Sequence, residues 1–115
     1  MKATTDPRFA GRPAKRLTFL LSVRDHVRHG SLQMELLKRA RKANLAGATV
    51  FEGIEGYGAS GHVHRTHLLS DDRPLALVII DHPDKIDEFL DAVSHLLDGI
   101  LVIVEEVEIL NLAQA

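Results

Sequence analysis

The sequence predicts a single α+β domain in which strand, helix, strand, strand, helix and strand follow one another. Three observations predict it. Leu17, Phe19, Leu21 and Val23 alternate onto one face of a strand, and Leu75 to Ile80 is an unbroken apolar run of strand length. Two segments, Leu32 to Ala43 and Ile86 to Leu97, repeat apolar residues at helical spacing. The glycines and prolines that separate these segments fall between them rather than inside them. This order is the ferredoxin-like βαββαβ pattern, with a four-stranded antiparallel sheet and two helices on one of its faces.

Each element has its own local reason. Residues 1–15 are polar, contain Pro7 and Pro13 and show no periodicity, so a disordered N-terminal extension is expected there. The folded domain is expected over 16–110, with 111–115 as a short tail. After the first strand, Arg24 to Gly30 is a polar connection and Ser31 a suitable N-cap. Leu32, Leu36, Leu37, Ala40 and Ala43 form the inner stripe of the first helix, with Glu35, Lys38, Arg39, Arg41 and Lys42 outside. Gly47 is the expected helix stop.

The second strand is expected from about Ala48 to Ile54. Arg73-Pro74 closes the long connection after it and leads into the strand at Leu75. Pro83 suits the first turn of the second helix, whose stripe is Ile86, Phe89, Leu90, Val93, Leu96 and Leu97. Gly99 ends it, and the last strand runs from Ile100 to about Leu110.

Two helices cover only one face of such a sheet, so the other should alternate to polar residues. Residues 75–80 and 100–104 are instead apolar on both faces. Each apolar side chain left in water forgoes roughly 1.5–3 kcal/mol. A second subunit is the expected cover.

Composition narrows the function classes. No apolar run is long enough to span a bilayer, no signal peptide is evident and there is no cysteine, which together point to a cytoplasmic protein. The net charge of −2 speaks against a dedicated DNA-binding domain. Charge is uneven along the chain: residues 1–47 hold eleven Lys/Arg and three Asp/Glu, residues 48–115 three and thirteen. A solvated basic helix face and head-to-tail attraction between subunits account for this. No nucleophile elbow, cysteine or H-E-x-x-H motif is present, so no enzymatic activity is expected.

The densest functional signal is Gly53 to Arg65, which holds Gly53, Gly56, Gly58 and Gly61 together with Tyr57, His62, His64 and Arg65. Glycines at this density let backbone N–H groups approach a ribose or phosphate, or make a flexible hairpin loop. His62, His64 and His67 have an H-x-H-x-x-H spacing, so a metal-binding trimer using these three is an alternative. No Asp or Glu lies between them to complete a four-ligand site.

Leu45-Ala46-Gly47-Ala48-Thr49-Val50 followed by Gly53-Ile54-Glu55-Gly56-Tyr57-Gly58-Ala59-Ser60 closely resembles the DUF190 family of PII-like proteins. The likeness covers roughly residues 16–110, including His62 to Leu69 and the strand after Pro74. Gly56-Tyr57-Gly58 is similar to the glycine-aromatic-glycine that opens the T-loop of PII proteins. Asp98-Gly99 before the last strand is similar to a second nucleotide-contacting loop. The resemblance implies a homotrimeric signal-transduction protein with adenine nucleotides in clefts between subunits. Its mobile T-loop, about 59–73, would engage a partner, a transporter or enzyme. A ligand-free interaction module regulating a transporter is a further alternative.

Two departures from the PII pattern shape the ligand expectation. PII proteins carry a phosphate-contacting lysine where this chain has Ile100, and arginines beyond the last strand where Asn111 to Ala115 is neutral. AMP or ADP is therefore expected over ATP, as an effector rather than a required cofactor. The expected nucleotide-binding residues are Arg28, His29, Gly30, Gly56, Tyr57, Gly58, Ser60, His62 and Arg65.

Overall fold

The computed structural model describes residues 11–57, 63–65 and 73–110. Four long strands form one antiparallel sheet: β1 (Gly11–Ser22), β4 (Ala48–Glu52), β7 (Pro74–Asp81) and β8 (Leu101–Leu110). Two small hairpins stand apart from it, one of β2 (His26–Val27) and β3 (Gly30–Ser31), the other of β5 (Glu55–Tyr57) and β6 (Val63–Arg65). The helices are α1 (Leu32–Lys42) and α2 (Pro83–Val93), the latter continued by a 3-10 turn at Ser94–Leu96. The sheet order β4-β7-β1-β8 places the first strand between the third and fourth long strands, which is the ferredoxin-like order.

The alternation of β1 and β7 sets the core. Leu17, Phe19, Leu21, Leu75, Leu77 and Ile79 all point to one face and are buried there. Leu32, Leu36 and Ala40 of α1 and Ile86, Phe89 and Val93 of α2 close over them. Both helices therefore lie on the same side of the sheet, as the two apolar stripes require.

Cap chemistry fixes where the helices start. The Ser31 hydroxyl accepts from Met34 N at 3.1 Å, so it is the N-cap the sequence suggests. His82 caps α2 through Nδ1, which accepts from Asp84 N at 3.2 Å, and Pro83 follows in the first turn. The end of α1 corrects the expectation of a Gly47 stop. Asn44 takes the left-handed conformation (φ 58°). Asn44 N donates to Arg41 O, and Leu45 N donates to Ala40 O, the paired bonds of a Schellman ending. Ala43 lies beyond the inner stripe and is exposed. Gly99, at φ 78°, instead serves a turn in which Ile100 N donates to Leu97 O.

A second correction concerns the N-terminal boundary. The disordered extension expected over 1–15 does not hold for 11–15, because β1 begins at Gly11. Residues 11–20 pair with Leu101 to Leu110 of β8, whereas β7 pairs only from Lys15 onward. Over Gly11 to Ala14, β1 thus has a neighbour on one side only, where Pro13 can be accommodated despite its missing N–H. The strand here is imposed by its partner. The expected residues 1–10 and the tail 111–115 lie outside the described residues.

The face opposite the helices is open. Across it run the rows Phe51–Ala76–Leu20–Leu101 and Thr49–Val78–Thr18–Ile103. Phe51 and Leu101 are more than half exposed, at 57% and 58%, and Leu20 and Ile103 are 39% exposed. One chain leaves this apolar surface uncovered, as the sequence pattern anticipates.

Candidate functional site

The long connection from Gly53 to Arg73 grows from neighbouring strands, and its two ends are tied together. Gly53 N donates to Pro74 O at 2.8 Å, and Val23 N donates to Arg73 O at 3.0 Å. The stem therefore joins the ends of β4 and β1 to the start of β7. A Cβ at 53 would lie 2.8 Å from Pro74 Cγ, so any side chain there requires the proline ring or the stem to shift. Tyr57 pairs with Val63, Gly56 with His64 and Glu55 with Arg65, so the glycine-rich segment leaves the stem as a short ladder. The stretch expected as loop over 59–73 thus includes the strand β6.

A second structured turn adjoins the same end of the sheet. Ser22 N donates to Asp25 Oδ2 at 2.7 Å, Arg24 N donates to Ser22 Oγ at 3.1 Å, and Leu32 N donates to Asp25 O at 2.9 Å. These bonds turn the chain sharply after β1 and deliver it to α1. The β2–β3 hairpin between them presents Arg28 and His29 at its exposed tip, followed by Gly30 at φ 154°.

The expected site residues accordingly separate into groups. Arg28, His29 and Gly30 share the β2–β3 hairpin. Gly56, Tyr57 and Arg65 share the β5–β6 ladder. Gly58, Ser60, His62 and His67 lie outside the described residues, and so does the completion of the histidine triad; His64 lies on β6. Among the described residues no cluster of three metal-ligating side chains occurs.

One pair at the stem was not anticipated. Arg73 Nη1 lies 3.1 Å from Glu52 Oε1. Two signals in the sequence bear on it: the residue before a proline is held extended, and Glu52 ends the neighbouring strand. Glu52 lies opposite Leu75, so Arg73 is its diagonal neighbour on the same face. Arg73 Nε is shut off from solvent and has no hydrogen-bond partner among the described residues.

Ion pairs also tie β1 to β8 and to α2. Arg16 grips Glu105 with Nε at 2.9 Å and Nη2 at 2.8 Å across β1 and β8. Those hydrogen bonds raise the Arg16 pKa and lower that of Glu105. Lys15 Nζ donates to Asp87 at 2.7 Å, joining β1 to α2, and that bond raises the lysine pKa.

The family model of DUF190 (Uncharacterized ACR) matches residues 14–109, the span that runs from within β1 nearly to the end of β8. The chain belongs to the DUF190 family. A UPF0166 protein of Aquifex aeolicus (strain VF5) is 38% identical to this DUF190 chain over 79 residues, which is 67% of the chain and 74% of that relative. Among solved structures, CPII, a nitrogen regulatory PII-like protein from Thiomonas intermedia K12 bound to ADP, AMP and bicarbonate, superposes with a TM-score of 0.68 at 16% identity. The match covers 88% of the DUF190 chain and 92% of CPII. The apo form of CPII matches with a TM-score of 0.62 at 13% identity, covering 90% and 98%. The DUF190 chain thus has a PII-like fold. Among its described residues no helix is long and apolar enough to cross a membrane.

Proposed function

We propose that this chain is a cytoplasmic, non-enzymatic PII-like regulator that forms a homotrimer and binds an adenine nucleotide between subunits. The observation that carries the reading is the loop stem at the end of a PII-like sheet. Gly53, Pro74 and Arg73 gather the two ends of a glycine-rich connection beside the turn after β1. The Thiomonas protein of the same fold was solved with ADP and AMP. The open face supports assembly: exposed Phe51, Leu20, Leu101 and Ile103 suit a second subunit better than water.

In this reading Gly56, Gly58 and Ser60 offer backbone and hydroxyl contacts, and Tyr57 packs at the cleft. Arg28, His29, Gly30, His62 and Arg65 line its polar side. The neutral position at Ile100 favours AMP or ADP over ATP, since fewer phosphates need fewer cations. The 59–73 T-loop is the signalling surface, toward a transporter or an enzyme. A nucleotide shifts such a loop only by binding one of its arrangements better than another.

Isothermal titration of the purified full chain with AMP, ADP, ATP and cyclic AMP tests this, each with and without bicarbonate. Binding of AMP or ADP more tightly than ATP is expected. Absence of heat and of thermal shift with every nucleotide would falsify the reading.

A further inference from the structure

Arg73 is held at the stem but is incompletely used there. Pro74 keeps it extended, and Val23 N, donating to its carbonyl at 3.0 Å, fixes its backbone beside β1. Its guanidinium meets Glu52 through Nη1, at 3.1 Å. Arg16 shows what this chain builds when a carboxylate is the final partner. There, Nε and Nη2 both reach Glu105, at 2.9 and 2.8 Å, in the two-pronged geometry that suits a planar oxyanion. In Arg73 the Nε of that same edge has no partner among the described residues and is shut off from solvent. A donor of a charged group left in this state favours any conformation that gives it an oxygen.

We infer that Arg73 is the phosphate-binding cation of the nucleotide site, and that it exchanges Glu52 for the nucleotide's phosphate. The inference rests on the nucleotide reading given above. Phosphate oxygens accept from the Nε and Nη2 edge as a carboxylate does, and carry more charge. The contact to be released is one partly exposed ion pair, with side chains 38% and 43% exposed, which is a weak restraint. Glu52 has two roles. It holds the guanidinium at the stem while the site is empty, and it competes with the phosphate for it. The exchange also adds a cation to a site in which Ile100 stands where PII proteins carry a lysine.

The experiment compares the full-length wild type with Arg73→Gln, Arg73→Lys and Glu52→Gln, titrated with AMP, adenosine and inorganic phosphate. Arg73→Gln is expected to weaken AMP binding by about tenfold or more while adenosine binding stays unchanged, as loss of a charge-assisted bond predicts. Arg73→Lys, which keeps the charge but loses the fork, is expected to fall between. Glu52→Gln is expected to tighten AMP and leave adenosine as it was, an effect that a purely structural ion pair does not produce.

Equal AMP affinity in wild type and Arg73→Gln overturns the assignment. So does a parallel loss of AMP and adenosine in both Arg73 variants, which marks a role in folding alone. Arg73-dependent binding of inorganic phosphate as tight as AMP assigns the residue to a free-phosphate site and overturns the nucleotide role. If wild type binds neither AMP nor adenosine, the nucleotide reading itself fails and this inference falls with it.

Discussion

Asp81 joins three parts of the chain through one carboxylate. Its Oδ2 accepts from Ala46 N at 2.8 Å and its Oδ1 accepts from His82 N, at 2.6 Å, so the entry to β4 and the start of α2 are both fixed to the end of β7. Burial is the largest single influence on its pKa and pushes it up. The two backbone N–H groups, with Lys85 and His82, together outweigh burial and hold it below the usual carboxylate value. Asp81→Ala is expected to cost about 1–2 kcal/mol, by loss of two charge-assisted bonds at a partly exposed site, measured by urea denaturation. Gly53→Ala tests the stem in another way. The added Cβ meets the Pro74 ring, which cannot rotate aside, and a loss of about 1–3 kcal/mol is expected. An unchanged melting temperature in Gly53→Ala would show that the stem yields.

Some of this residue chemistry is written in the sequence and some is not. Ser31 and Pro83 sit at the right offset from apolar stripes, and cap preferences are local, so both helix starts are legible. Asn44 as the end of α1 is less so, because Gly47 is the stronger stop signal and both lie within a turn of the last apolar residue. The Arg73–Glu52 pair is legible only after the β4–β7 register is known, since a diagonal contact depends on which residues stand opposite.

At the scale of elements, the open sheet face is the surface on which the proposed association is tested. Its rows cross all four long strands, and Ile103 lies on the edge strand β8 opposite Thr18. Ile103→Glu is expected to shift the protein toward monomer, read by light scattering after size-exclusion chromatography, with the far-ultraviolet circular dichroism preserved. A charge there faces outward in the single chain and meets apolar surface only when a partner covers it. Retention of the wild-type mass in Ile103→Glu would place the interface elsewhere. The runs 75–80 and 100–104 make this face legible, because a strand apolar on both sides needs two covers. The early start of β1 is not, since Gly11 to Lys15 carries no alternation of its own and is ordered by β8.

For the whole molecule, the titrating pairs predict a stability profile. Asp81, Glu35 and Glu105 have lowered pKa values: Glu35 and Glu105 through hydrogen bonds from Arg39 and Arg16, Asp81 through backbone bonds that overcome burial. A lowered folded value contributes stability above the ordinary carboxylate pKa of about 4, and that contribution is lost as pH falls through the folded values. Lys15 and Arg16 are raised by their bonds to Asp87 and Glu105. The Lys15 contribution is fully present below the ordinary lysine value of about 10.4 and is lost at higher pH, while Arg16 stays charged throughout the range tested. The melting temperature is expected to be nearly level from about pH 5 to 9 and to fall below about pH 4. Calorimetry across that range checks it; a maximum in the acid region would contradict the sign for every carboxylate named. The alternation of elements made the domain's topology legible, whereas the loop's contacts depend on long-range pairing that no local pattern records.

The placement of β1 has a consequence for biosynthesis. It leaves the ribosome before both strands that flank it, β7 and β8, and Gly11 pairs with Leu110. Pairing across such separation is slow, because a long loop must close before any contact rewards it. Until Leu101 to Leu110 emerges, a nascent chain carries one unpaired side of β1 from Gly11 to Leu20. On a polysome, the β8 of a neighbouring copy fits that edge as well as the chain's own, since the sequences are identical. Delayed emergence of Leu101 to Leu110 is therefore expected to favour strand-exchanged pairs over self-contained subunits.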